Sequence, residues 1–173
     1  MSAVMIRVGT GFDIHRFGRG RRLVLGGVVI PGVSGLVGHS DADVLCHAVA
    51  DALLGAVADG DIGTHFPNTD PTYRGADSIE LLRIAVERLH RKGYGVVNVD
   101  ATVLAERPKI APHREAMRLR LARAMGVGVE AVSVKATTME RLGAIGRCEG
   151  IAAMALATVE TRQEPVRRRK TES

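Results

Sequence analysis

Apolar and polar positions along this chain change their period several times, and each change marks an element. Residues 4 to 9 (VMIRVG) form a short apolar run, and "RRLVLGGVVIPG" reads as two strands parted by Gly26-Gly27 and closed by Pro31-Gly32. The first fifth is therefore expected to be β-rich. From Asp41 to Ala58 the period lengthens: Val44, Leu45, Ala48, Ala52, Leu53 and Ala56 recur at helical spacing, with Ser40 and Asp41 suited to capping the N-terminus. Residues 60 to 77 (GDIGTHFPNTDPTYRGAD) interrupt any period with Gly, Pro, Asp and Asn, which predicts a long loop of the kind that carries function. The pattern "SIELLRIAVERLHRK" then predicts an amphipathic helix from Ser78 to Lys92, stopped at Gly93, before a strand in "GVVNVDATVLA". A loop follows at residues 106 to 113 (ERPKIAPH). Pro112 is placed to open a third helix that ends at Gly126, and "AVSVKAT" supplies another strand. The last piece, "EGIAAMALATVE", alternates as a strand does, although its Ala and Met content also permits a helix; the strand is the favoured reading. Without internal repeats, this order predicts an α+β (mixed α/β) fold, one mixed sheet with helices packed on one face.

Composition narrows the picture. At 173 residues and 46% hydrophobic content the chain suffices for one domain, residues 1 to 161, burying roughly 70% of its unfolded surface. Aromatic residues make up 3% and Trp is absent, so the core must rely on close contacts of Ala, Val, Leu and Gly. Cys46 and Cys148 form no C-x-x-C pair, which argues against a disulfide framework and fits a reducing, cytoplasmic setting. No signal segment or uninterrupted span of eighteen apolar residues is present, so no membrane association is expected. The net charge of +5 is mostly terminal: residues 162 to 173 hold five cations against two anions, leaving +2 for the rest. That basic tail has no interleaved aromatics for base stacking, and a solvated, disordered terminus is favoured over a nucleic-acid partner.

Candidate chemistry gathers around three short stretches. In "GFDIHRF", Asp13 and His15 are two apart on a period-2 segment and share a face. Asp43, His47 and Asp51 stand at i, i+4 and i+8 of the first helix, one polar stripe on an apolar element. Asp13, His15 and His47 together have the donor types of a catalytic Zn²⁺ site with an open position, and Asp43 or Asp51 could orient a ligand from behind. An exposed polar pair at a strand end explains Asp13 and His15 equally well. Thr137 and Glu140 have the spacing of a capping box, or Glu140 could serve a second cation. The glycines of "GTGFD" do not fit a dinucleotide fingerprint; His90 and His113 read as solvated, and Cys46, about 100° round the helix from His47, as core.

Six stretches in order, "GTGFDIHRF", "GHSDADVLCHAVADALLGA", "GDIGTHFPNTDP", "GADSIELL", "NVDATVLAERPKIAPH" and "VKATTMERLGAIGRCEGIA", resemble the 2-C-methyl-D-erythritol 2,4-cyclodiphosphate synthase family from about residue 6 to 160. The resemblance implies a phosphorus–oxygen lyase of non-mevalonate isoprenoid biosynthesis. It would convert 4-diphosphocytidyl-2-C-methyl-D-erythritol 2-phosphate to the cyclic diphosphate and CMP, by attack of the 2-phosphate on the β-phosphate. It further implies Asp13, His15 and His47 as Zn²⁺ ligands, of which Asp13 and His15 also face substrate, and Glu140 as ligand of a Mg²⁺ or Mn²⁺ on the diphosphate. His39 and Thr138 match residues that stabilise the transition state, Ser40 a phosphate contact, and Asp51 a catalytic carboxylate beside the metal helix. Asp61, Ile62, Gly63 and then Phe66, Pro67, Asn68, Thr69 and Asp70 match the loop that holds the methylerythritol phosphate.

By the same resemblance the cytosine pocket corresponds to Ala105, Glu106, Arg107, Pro108, Lys109, Ile110 and Ala111, reading the base through the backbone. In the family that pocket and Thr137, Thr138, Met139 and Glu140 come from a neighbouring subunit of a homotrimer. Ala144 and Arg147 match residues of a central cavity that takes an isoprenoid diphosphate. Three positions depart from the family: Asn68 replaces a usual Asp, Met139 a small hydroxyl residue, and Ala144 a frequent aromatic. The rival reading is a non-catalytic trimeric metal- and isoprenoid-diphosphate-binding protein, which would have no need of Asp13, His15, His47, Thr138 and Glu140 together.

Overall fold

The structure, a computed structural model, describes residues 3 to 162. Residues 163 to 173, most of the expected basic tail, lie outside the described residues. Five strands form one sheet: β1 (Ile6–Leu25), β2 (Val28–Leu36), β3 (Tyr94–Leu104), β4 (Val132–Thr137) and β5 (Gly150–Thr161), in the order β2-β1-β5-β3-β4. β3 and β4 run parallel and every other pair antiparallel. The final segment is thus the favoured strand, and it lies at the centre of the sheet.

The expected separation of residues 4 to 9 from "RRLVL" does not hold. β1 is one twenty-residue strand that changes partner: Ile6 to Arg16 pair with β5, while Phe17 to Leu25 pair with β2. Register shifts between Phe17 and Leu23 bend the strand from one partner to the other. Asp13 and His15 therefore lie mid-strand and do not mark its end. Gly26-Gly27, both at positive φ, make the turn into β2, and Pro31-Gly32 do not end β2, an edge strand in which a missing N–H is tolerated.

Three longer helices cover one face: α1 (Val44–Ala56), α3 (Ser78–Arg91) and α4 (Arg114–Met125), with the short α2 (Ile62–His65) between the first two and the short α5 (Gly143–Gly146) between β4 and β5. The long loop is thus partly structured, by α2 and by a single 3₁₀ turn at Pro71–Tyr73. Pro112 sits in a 3₁₀ turn just before α4, and Gly126 closes that helix in the left-handed conformation. The predicted capping box at Thr137 and Glu140 does not form: no helix begins there, and Thr138 Oγ1 donates to Glu140 at 2.7 Å instead.

α1 is buried on almost every side, its leucines, valines and alanines filling the core between the sheet and α3. It comes unusually close to the sheet because β1 carries Gly9 and Gly11 beneath it. A Cβ on Gly11 would fall 2.0 Å from the Ala48 carbonyl oxygen, and one on Gly9 would fall 2.1 Å from that of Ala52. This close approach brings His47 of α1 over Asp13 and His15 of β1. On the other face of the sheet Phe12, Ile14, Met154 and Leu156 are exposed, and none of the three longer helices covers them.

Candidate metal centre and substrate cleft

Asp13, His15 and His47 converge. Asp13 Oδ2 lies 3.2 Å from His15 Nε2 and 2.8 Å from His47 Nδ1, and one ligand atom from each residue falls within 4.8 Å of the others. Which ring nitrogens carry hydrogen follows from their outer partners. His15 Nδ1 lies 2.7 Å from the Val37 carbonyl, which only accepts, so Nδ1–H donates there and the neutral ring turns the Nε2 lone pair toward Asp13. Behind His47, the Ser78 hydroxyl donates to Asp41, so at 2.9 Å it must accept from His47 Nε2–H. That leaves the Nδ1 lone pair of His47 facing Asp13 as well.

Three electron-pair donors, one anionic, thus point at one place, an arrangement that repels itself unless a cation or a proton lies among them. The proton affinities express the same need. Burial works to raise Asp13, yet when a proton takes the place among them, the hydrogen bonds and charge that the protonated His15 and His47 rings then offer hold its carboxyl well below the usual carboxylate range. The Asp13 hydrogen bond in turn raises His15, against the effect of its burial. Imidazole and carboxylate donors, oriented from behind by Val37 and Ser78, fit a borderline divalent cation.

The helix stripe divides by role. Asp43 does not stand behind a ligand: it is the N-cap of α1, fully buried, where Ser40 and Asp41 were expected to cap. Its carboxylate accepts from Leu45 and Cys46 at the helix start and from Gly26 and Gly27 in the β1–β2 turn. Asp51, two turns beyond, accepts from the Ile62 N–H at 2.7 Å and so ties α2 to α1; burial raises its carboxyl, partly offset by that bond. Cys46 is buried, as its angular position required.

A cleft of about 480 Å³ opens over the three ligands. His39, Ser40, Ile62, Gly63, Phe66, Pro67 and Asn68, all among the site candidates, line it together with Gly38, Tyr73 and Leu81, which were not. His39 Nε2 donates to the Asp70 carbonyl at 3.0 Å, while the Asp70 and Asp61 carboxylates accept from Thr72 and Thr64 and shape the loop. Thr69 has no described side-chain bond. Arg21 is a further residue no sequence pattern singled out: its guanidinium donates to the carbonyls of Gly38, at 3.0 Å, and Ser40, holding the segment that carries His39.

The remaining site candidates are elsewhere in the chain. Ala105 to Ala111 and Thr137 to Glu140 do not line this cleft. They leave the parallel β3–β4 pair side by side, joined by the Ala105 N–H to Thr137 bond, with Thr138 and Glu140 exposed. Arg147 is exposed and donates to Glu149 at 2.6 Å, and Ala144 lines a small hollow of about 120 Å³ with Ile14 and His15. His90 is exposed and His113 half-buried.

Fold and site together define a class: a small α+β domain with an aspartate–histidine–histidine candidate metal site at the mouth of a cleft. The sequence profile of the YgbB family matches residues 6 to 160, and the chain belongs to that family. It is 61% identical over 156 residues to the 2-C-methyl-D-erythritol 2,4-cyclodiphosphate synthase of Thioalkalivibrio sulfidiphilus, covering 90% of this chain and 98% of the relative. It is 56% identical to the synthase of the same name from Chlorobaculum tepidum, over 90% and 99% of the two chains. Among solved structures, the CDP complex of IspF from Plasmodium falciparum superposes with a TM-score of 0.80 at 34% identity, over 91% of this chain and 97% of that one.

Proposed function

We propose that the chain catalyses the reaction its relatives are named for, converting 4-diphosphocytidyl-2-C-methyl-D-erythritol 2-phosphate to 2-C-methyl-D-erythritol 2,4-cyclodiphosphate and CMP. A 2-phosphate oxygen bonds to the β-phosphorus, the bond from that phosphorus to the α-phosphate oxygen breaks, and CMP leaves with the electron pair. No water enters, so this is a lyase reaction. Its obstacle is the approach of two anions, and positioning with charge neutralisation lowers it. Divalent cations, Zn²⁺ at Asp13, His15 and His47 and Mg²⁺ or Mn²⁺ at Glu140, supply Lewis-acid neutralisation of phosphate oxygens when bound.

The chain's own residues do the rest. His39, with Nε2–H engaged by the Asp70 carbonyl, stands with Ser40 at the metal's edge of the cleft, where both reach a phosphate group. The 61 to 70 loop holds the methylerythritol part, pinned to α1 by the bond from Ile62 to Asp51. Asn68, an amide, both donates and accepts, so it serves a sugar hydroxyl in place of a carboxylate. The observation that carries the reading is the convergence of three lone-pair donors at that cleft.

Cytosine is read by the backbone of Ala105 to Ala111, and Thr138 joins Glu140 at the diphosphate. Because these groups do not line the cleft of their own chain, the complete site combines two copies, in a homotrimer that buries the open sheet face. Phe12, Ile14, Met154 and Leu156, exposed together on that face, support that assembly, since apolar side chains grouped on one surface mark an interaction site. The site is that of a soluble cytoplasmic enzyme; among the described residues no helix is long and apolar enough to cross a membrane.

The test is direct. Purified chain incubated with the cytidylylated substrate and Mg²⁺ is expected to release CMP in step with a cyclic diphosphate phosphorus resonance, and a strong chelator is expected to stop both. Absence of CMP under every metal condition would overturn the reading in favour of a non-catalytic metal- and isoprenoid-diphosphate-binding protein.

A further inference from the structure

Glu140 and Arg141, neighbours in the exposed turn after β4, both have left-handed backbone, with φ of 48° and 65°. Neither is Gly or Asn, the residues for which that conformation is common, so the turn must be held by something outside itself. The holding group is Glu106, more than thirty positions earlier. One oxygen, Oε1, accepts the Met139 N–H and the Arg141 N–H, each at 3.0 Å. The two bonds flank Glu140 on either side. Within the turn, Glu140 Oε1 accepts from Thr138 Oγ1 at 2.7 Å, and Leu142 N–H closes on the Met139 carbonyl at 2.8 Å.

We propose that Glu106 is a positioning residue: its half-buried carboxylate clamps the amides on both sides of Glu140 and thereby sets where the Glu140 and Thr138 side chains stand. The role differs from contact with substrate. Glu106 begins the 105 to 111 loop, so the same two bonds tie that loop to the Glu140 turn, and a ligand that orders one orders the other. A charged acceptor shared by two amides is stronger than a neutral one, but the clamp needs only an oxygen at that place, which the side-chain carbonyl of Gln also provides. The inference rests on the proposed use of Glu140 and Thr138 at the diphosphate.

Three variants separate the two ideas: Glu106→Ala, Glu106→Gln and Glu140→Ala, each compared with the unaltered protein in Mg²⁺ dependence of turnover, zinc content and amide hydrogen exchange of the 137 to 142 peptide. For Glu106→Ala we expect at least tenfold faster exchange in that peptide and a Mg²⁺ requirement raised about tenfold, with zinc content and melting temperature retained. Glu106→Gln is expected to restore both to within about threefold. Unchanged exchange and Mg²⁺ requirement in Glu106→Ala would overturn the clamp, as would a Gln variant as impaired as the Ala variant. Full activity in Glu140→Ala would remove the proposed use of Glu140, while the exchange measurement would still decide whether Glu106 holds the turn.

Discussion

Asp43 and His47 stand one turn apart on α1, and the same helical spacing serves two unrelated ends. His47 turns Nδ1 to Asp13, whereas Asp43 points back to the helix start, where its carboxylate takes four backbone N–H groups with no access to solvent. Replacing it removes the α1 cap and orphans the β1–β2 turn together. Asp43→Ala is expected to lower unfolding free energy by about 3 kcal/mol or more in urea titration. His47→Ala leaves the cap intact, so it is expected to lose bound zinc by elemental analysis and at least 100-fold of turnover while unfolding as before. Retained zinc with full turnover would remove His47 from the ligand set. Periodicity made the stripe legible but not this division, because a cap and a ligand are distinguished by what lies opposite them.

At the scale of elements, the site depends on how closely α1 approaches β1. Gly11→Ala places a methyl 2.0 Å from the Ala48 carbonyl, so the helix must lift from the sheet at the level of His47. A loss of about 2 to 3 kcal/mol in stability is expected, with weaker zinc retention against a chelator; a variant equal to the parent in both would show that the helix yields freely. A second contact latches the substrate loop. Asp59 accepts from Arg88 of α3 at 2.7 Å and from Lys92, just past its end, at 2.9 Å, and its carbonyl accepts from His65 of α2. Those hydrogen bonds, Arg88 first and then Lys92, bring its carboxyl down to about 2. Folding therefore gains from Asp59 above the ordinary carboxylate range and loses that gain as pH falls through about 2. Asp59→Asn is expected to unfold with about 1 to 2 kcal/mol less free energy at pH 7, and the difference should shrink toward zero near pH 2.

For the whole molecule, assembly through the exposed sheet face is a condition of the proposed activity. Light scattering is expected to give three times the 18.4 kDa mass of the chain, and Phe12→Glu, on the exposed face, to yield monomers without turnover. Mixing those monomers with a Glu140→Ala trimer should not restore activity. A monomer that releases CMP would overturn the shared site.

The sequence by itself determined most of the elements, the single mixed sheet and a candidate donor set, because helical and strand periods are local and because "GFDIHRF" with His47 carries its chemistry in residue type. The long loop was legible as a break in period, whereas most residues that line the cleft, the three donors apart, were named only through the family resemblance. Tertiary structure alone decided the rest. β1 continues through Asp13 and His15 because a second partner strand waits beyond Phe17; Asp43 caps because the Gly26-Gly27 turn lies against it; Arg21 and Glu106 matter through amides and carbonyls distant in sequence. Each of these depends on which backbone group is left without a partner, and that is settled only when separate segments meet.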